Sequence, residues 1–230
     1  MAAYFVTGTD TGVGKTLVTA GLLRAAAARG LRAIGLKPVA AGSTWQAGAW
    51  VNDDAVLLQR AATVPLACTD INPLLLRSAI APPLAAAEEG VVPDVQALAA
   101  HCRAQARHAH DLLLAEGAGG WLVPLDGRTT MADLAVALGW PVIMVVGMRL
   151  GCLNHALLTA AAIRAAGLAL AGWVANSPAP AMARFDANVA TLEEKLAAPR
   201  LGTVPWLGAG AAPDAVAACL DPAALLPGSG

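Results

Sequence analysis

Charge is scarce in this chain. Only 13% of its 230 residues are Asp, Glu, Lys or Arg, the formal net charge is −1, and no lysine-rich run or basic patch occurs. This argues against nucleic acid or anionic lipid as the main partner. Cysteine is equally sparse: Cys68, Cys102, Cys152 and Cys219 are scattered, with no C-x-x-C spacing. A disulfide framework or zinc site is not expected, and the pattern reads as reduced thiols in a cytoplasmic protein. No cationic region precedes an apolar core at the N-terminus, so no secretory signal is expected. Internal repeats, long linkers and breaks in composition are also missing. The expectation is one domain over residues 1–220 with a loosely held tail over 221–230.

Apolar residues are plentiful, at 57%, and mean hydropathy is +0.59, much of it alanine. So little surface charge suggests self-association. The window over residues 156–175 is long enough for a bilayer and holds a single charge, Arg164. Gly167 divides it, however, into an Ala/Leu helix and a buried strand, so no membrane span is expected.

Short apolar runs alternate with helical patterns along the rest of the chain. Strands are expected at residues 4–7, 32–39, 111–116, 141–147, 168–176 and 201–206. Helices are expected at 15–30, from Asp53, and at 93–110, 129–139, 153–166 and 182–197, while 68–93 reads as irregular. Strands that are apolar throughout, each followed by a helix, predict an α/β fold: a mostly parallel sheet with helices on both faces. Ligands then bind beyond the carboxyl ends of the strands.

The chemistry-bearing residues fall at those ends. "FVTGTDTGVGKT", residues 5–16, runs from strand through glycine loop to helix. Backbone N–H groups of Gly12, Val13 and Gly14 with the helix N-terminus make an anion site, Lys15 adds charge for the outer phosphates, and Thr16 offers a hydroxyl to magnesium. The spacing is irregular, because Thr9 stands where such loops usually place glycine and Gly8 comes one residue early. Glu116 closes the strand "LLLAE" ahead of an expected glycine-rich turn and is a candidate magnesium ligand. Asp54 is another, although carboxylates also suit a helix start. Lys37 ends the second strand; it either snorkels to the surface or points into the same crevice as Lys15 and Glu116.

Together "FVTGTDTGVGKT", "GLKPVAAGS", "LLAEGAGGW", "MRLGCLNHALLT", "GWVANS" and "VPWL" resemble the dethiobiotin synthase family, in order and spacing, over residues 4 to about 207. The resemblance implies a P-loop NTPase-like fold and an ATP-dependent ligase that closes the ureido ring of dethiobiotin from 7,8-diaminopelargonic acid and CO2. It implies Lys37, Lys15 and Thr11 as catalytic residues, and Mg²⁺ held by Thr16, Asp54 and Glu116. ATP would contact the loop through Leu17, Gly117, Ala118 and Gly119, its adenine edge would meet Asn176, and Pro205, Trp206 and Leu207 would line the adenine side. The substrate would meet Thr11, Lys37 and Ala41 and, across a homodimer interface, Gly151, Cys152, Leu153 and Asn154. Asn154 also reads as an ordinary helix-start residue, and His155 as structural.

Two departures stand out. Ala41 replaces a residue that often carries a hydroxyl, with Ser43 or Thr44 as nearby substitutes, and Gly12 replaces a position that is acidic in some members. A partitioning-type ATPase of the same superfamily would carry a lysine where this chain has Asp10. A corrinoid amide-forming synthetase would need a glutamine-hydrolysing domain for which no residues remain, and a non-catalytic scaffold would have no need of converging phosphate and metal groups.

Overall fold

The computed structural model describes residues 1–46, 48–180 and 182–226. Along the chain its elements are β1 (Ala2–Gly8), α1 (Lys15–Ala27), β2 (Ala33–Leu36), β3 (Val39–Ala41), β4 (Thr44–Gln46), β5 (Ala49–Val51), α2 (Asp53–Ala61), α3 (Cys68–Ile71), β6 (Leu74–Leu76), α4 (Pro82–Glu88), α5 (Val95–Gln105), β7 (Leu112–Gly120), α6 (Met131–Leu138), β8 (Val142–Gly147), α7 (Cys152–Ala165), β9 (Leu170–Asn176), α8 (Phe185–Leu196), β10 (Arg200–Val204) and α9 (Pro213–Ala217). Six strands form one sheet in the order β10-β9-β8-β1-β7-β2, and every pairing in it is parallel.

The apolar runs explain this arrangement. Alternate residues of one strand enter cores on opposite faces: Val6, Leu112, Leu114, Ile143 and Val145 pack with α1, whereas Phe5, Leu113 and Ala115 pack with α5 and α6. Met144, Val146 and Trp173 meet α7 and α8 in a third cluster. Side chains point to opposite sides at successive positions, so a strand covered on both faces has to be apolar throughout. Each such side chain contributes roughly 1.5–3 kcal/mol on burial. The apolar window at residues 156–175 resolves into the end of α7 and most of β9, and no helix among the described residues is long and apolar enough to cross a membrane.

Several local expectations change. Residues 68–93, read as irregular, contain α3, β6 and α4; Pro82 suits the first turn of α4, where a missing N–H costs nothing. β6 pairs with β3 in a small parallel ribbon, and β4 and β5 form a hairpin with Trp45 opposite Trp50. The glycines after Glu116 continue β7 rather than turning, because Gly120 still pairs with Gly8. α5 stops at Gln105 and α8 starts at Phe185, after Arg184 adopts a left-handed conformation. Within the tail, Leu225 is buried and its carbonyl accepts a 2.7 Å hydrogen bond from the Tyr4 hydroxyl; residues 227–230 lie outside the described ones.

Candidate active site

The loop after β1 owes its shape to its neighbours. Thr9 N–H donates to the Val145 carbonyl at 3.0 Å, and Thr9 Oγ1 accepts from Gly147 N–H at 3.3 Å. The residue that makes the spacing irregular therefore prolongs β1's attachment to β8, and the loop turns after it. At Gly14 the backbone is left-handed (φ 87°), and a Cβ there would stand 2.3 Å from Asn176 Nδ2. Only glycine fits. That Asn176 amide, buried at the end of β9, donates to the Val13 carbonyl at 2.7 Å and so fixes the loop from the far side.

Lys15 folds back over this loop, its Nζ donating to the Asp10 carbonyl at 3.2 Å. Burial pulls its ammonium below the usual lysine range; the Lys37 charge adds to this, while Glu116 and Asp54 oppose it. The Asp10 carboxylate accepts from Thr11 N–H at 2.7 Å and pairs with Arg149. The position that a partitioning ATPase gives to lysine is thus an acid with a basic partner.

Strand register brings the second lysine to the carboxylates. Leu36 on β2 pairs with Ala115 on β7, so Lys37 and Glu116 each lie one step past that pair. Lys37 Nζ reaches Glu116 Oε1 at 2.6 Å, Gly117 O at 3.2 Å and Asp54 Oδ2 at 3.3 Å. Thr16 Oγ1 donates to the same Glu116 oxygen at 2.8 Å. Lys37 does not snorkel: it is 4% exposed and Glu116 is fully buried. Burial works against the Lys37 charge, but Glu116 and Asp54 outweigh it and hold its pKa above the usual value.

These groups line a cavity of about 830 Å³ beyond the ends of β1, β2 and β7. Thr11, Gly12, Gly14, Leu17, Ala118 and Gly119 are part of its lining, and Ala40, Ala41, Leu57, Ile80, Pro82 and Val123 add apolar surface. Thr16, Asp54 and Glu116 offer hard oxygens, and Glu116 Oε2 is buried with no partner among the described residues. Among the described residues no group of three or more His, Cys, Asp or Glu forms a metal cage. Two carboxylates and a hydroxyl beside a phosphate loop nevertheless fit Mg²⁺, which commonly takes its other ligands from phosphate and water.

Other residues singled out from the sequence stand elsewhere. Val13 packs against Gly147, and Gly117, in β7, packs against Phe5 while its carbonyl meets Lys37; neither lines the cavity. Pro205, Trp206 and Leu207 follow β10 on the exposed side of Asn176's strand, with Trp206 41% exposed. Gly151, Cys152, Leu153 and Asn154 begin α7 and do not line the cavity of their own chain. Ser43 and Thr44 do not line it either; Thr44 Oγ1 accepts from Gln46 at 2.7 Å. His155 is exposed. Sequence reading missed Asn52, which lines the cavity and caps α2, and Ile80 and Pro82 from the supposedly irregular stretch. An asparagine just before Asp53 and Asp54 is a recognisable helix-start pattern; the other two leave no such signal.

A parallel sheet with a phosphate loop, a buried loop lysine and a strand-end carboxylate defines a P-loop nucleotide-binding protein of the α/β class. A family model described as an AAA domain matches residues 2–213. MinD, a cell-division ATPase of Pyrococcus furiosus, superposes with a TM-score of 0.56 at 18% identity, over 89% of this chain and 84% of its own. That likeness shows the fold alone. The ATP-dependent dethiobiotin synthetase BioD of Pseudomonas paraeruginosa is 53% identical over 96% of both chains, and that of Cellvibrio japonicus is 51% identical over 97% of both. The chain belongs to the ATP-dependent dethiobiotin synthetase family.

Proposed function

We propose that this chain is a ligase of biotin biosynthesis that closes the ureido ring of dethiobiotin from 7,8-diaminopelargonic acid and CO2, with ATP as co-substrate. One amine of the diamine takes up CO2 as a carbamate. A carbamate oxygen attacks the γ-phosphorus as the bond to the β,γ-bridging oxygen breaks, and ADP leaves with that electron pair. The neighbouring amine then attacks the carbamoyl carbon of the mixed anhydride, phosphate departs, and the nitrogen loses its proton as the ring closes.

This chemistry needs positioning and charge neutralisation more than covalent help. The observation that carries the reading is the convergence of Lys15, Lys37 and Glu116 on one cavity at the strand ends. Lys37, held protonated by two carboxylates, acts as a fixed cation and not as a base. Lys15 and the N–H groups around Gly12 and Gly14 hold the phosphates, and Thr11 stands between phosphate and substrate. Thr16, Asp54 and Glu116 would hold Mg²⁺, which when bound neutralises charge on the outer phosphates. The apolar lining of Ala40, Ile80 and Val123 suits an aliphatic chain, and Ala41 beside them faces the substrate's polar end. Asn176, Pro205, Trp206 and Leu207 take the adenine.

Residues 151–154 serve the partner's site in a homodimer, where the start of α7 binds the substrate carboxylate through backbone N–H groups. Leu150, at 95% exposed, and Leu158, at 62%, support a contact there. The free state of all four cysteines supports a cytoplasmic setting.

The test is phosphate release from Mg-ATP and bicarbonate with and without 7,8-diaminopelargonic acid, with mass spectrometry for dethiobiotin. Diamine-dependent release with product supports the reading. Slow hydrolysis indifferent to the diamine, without product, overturns it. A sedimentation experiment giving only monomer would remove the shared site.

A further inference from the structure

The segment carrying Lys37 has little regular structure to secure it. Residues 37–42 leave the central sheet after β2, and among the described residues the three of β3 pair only with those of β6. An isolated two-stranded pairing is marginal in water, yet this one holds Lys37, Ala40 and Ala41 at the cavity wall. Two buried asparagines hold its ends. Asn72 Nδ2 donates to the Lys37 carbonyl at 2.7 Å, and Lys37 N–H donates to Ile71 O at 2.8 Å. At the other end Asn52 Nδ2 donates to the Gly42 carbonyl at 2.7 Å, and Gly42 N–H donates to Leu76 O at 3.0 Å.

Asn52 also starts α2. Its Oδ1 accepts from Ala55 N–H at 3.2 Å, which fixes the first turn. Asp54 is the second residue of that turn, and its Oδ2 lies 3.3 Å from Lys37 Nζ. One side chain thus ties the far end of the Lys37 segment to the helix that carries Asp54. We infer that Asn52 is a positioning residue of the reaction, setting Asp54 against Lys37 through its donor on Gly42 and its acceptor at the helix start. The residue type follows from this double use. Aspartate or serine caps a helix as well, but aspartate turns an oxygen toward the Gly42 carbonyl, and serine is too short to reach both partners. The functional consequence rests on Asp54 being part of the metal and phosphate site, as proposed above.

Asn52→Ser keeps the cap and the net charge but drops the clamp; Asn52→Ala drops both. Mn²⁺ binding to the protein with ADP, followed by the paramagnetic resonance of free Mn²⁺, is measured beside kcat and thermal denaturation. Loss of a group that orients a ligand typically weakens metal binding about 10–100-fold. Both variants are therefore expected to lose at least about tenfold in Mn²⁺ affinity and to lose kcat, while only Asn52→Ala loses substantial thermal stability. Unchanged Mn²⁺ binding and kcat in Asn52→Ser, or losses that scale with stability in both variants, overturn the inference. Asp54→Asn separates it from the reading beneath it. Should Asp54→Asn itself leave Mn²⁺ binding intact, Asp54 is no ligand, and Asn52 is judged on kcat alone. Asn52→Ser then has to lower kcat in the parent but not in the Asp54→Asn background; equal losses in both refute positioning through Asp54.

Discussion

The Lys37 ammonium lies 2.6 Å from Glu116 Oε1, and that carboxylate is fully buried, with its second oxygen unpaired among the described residues. A buried acid in such a setting depends on its cation. Removing one member of a buried ion pair typically costs about 3–5 kcal/mol, whereas removing both can be neutral. Lys37→Met is therefore expected to lower stability by about 3 kcal/mol and kcat by at least about 100-fold. Lys37→Met with Glu116→Gln should recover most of the stability and none of the activity. Urea denaturation of the two variants beside their steady-state rates checks this; a double variant no more stable than the single one would remove the pair's structural role.

Lys15 has the opposite balance. Its folded pKa is pulled down by burial, so in the free protein its charge is held against a penalty. Between the lowered folded value and the ordinary one near 10.4, the unfolded chain binds more protons, and stability contributed by this group rises with pH. Below the lowered folded value, where both states are charged, the full penalty is present. Lys15→Met should therefore melt no lower than the parent at pH 7, and higher if the surroundings relax little, while losing at least about 100-fold in kcat. The Lys37 sign is reversed: with its pKa raised in the fold, its stabilisation is whole below about 10.4 and is lost only as pH climbs through the raised value. Lys37 itself should accordingly contribute no pH dependence to the stability of the parent from pH 6 to about 9. Calorimetry across that range reads both signs.

Gly14→Ala probes the phosphate loop without touching a charge. A methyl group there meets Asn176 Nδ2 at 2.3 Å in a left-handed backbone. Strain of this kind costs on the order of 1–3 kcal/mol. It would also push away the amide that holds the Val13 carbonyl. The expected outcome is a lower melting temperature together with a raised KM for ATP and little change in the KM for the diamine. A variant with native ATP affinity would mean that the loop reaches its shape independently of Asn176.

The parts legible in the sequence are those where a long apolar run ends in a polar residue. Lys37 and Glu116 each stand just past the end of such a run or close it, Lys15 and Thr16 open the helix after the glycine loop that follows another, and a parallel sheet brings these ends to one edge. Asn52 and Asn72 were invisible as a pair because they act on carbonyls of a ribbon whose strands have only three residues, too few for any periodicity. Residues 68–93 misled for a related reason: Pro82 and Pro83 open α4 there, and proline density alone reads as loop. The glycines after Glu116 looked like a turn because pairing with Gly8 is a property of the fold and not of the segment.

Ala41 offers a test that can improve the protein. It lines the cavity, and neither Ser43 nor Thr44 brings a hydroxyl to that wall. The resemblance to the dethiobiotin synthase family implies a hydroxyl at the Ala41 position, where it would meet the substrate's polar end. A hydrogen bond gained in such a place is worth about 0.5–1.5 kcal/mol net, or a roughly two- to tenfold change in affinity. Ala41→Ser should lower the KM for 7,8-diaminopelargonic acid by that factor and leave the KM for ATP unchanged, since Ala41 belongs to β3 and not to the nucleotide loop. Steady-state titration of each substrate at saturating levels of the other distinguishes the outcomes. A shift in the ATP term instead would place Ala41 beside the phosphates. No shift in either would mean that the aliphatic part of the substrate, and not its diamine end, packs against this residue.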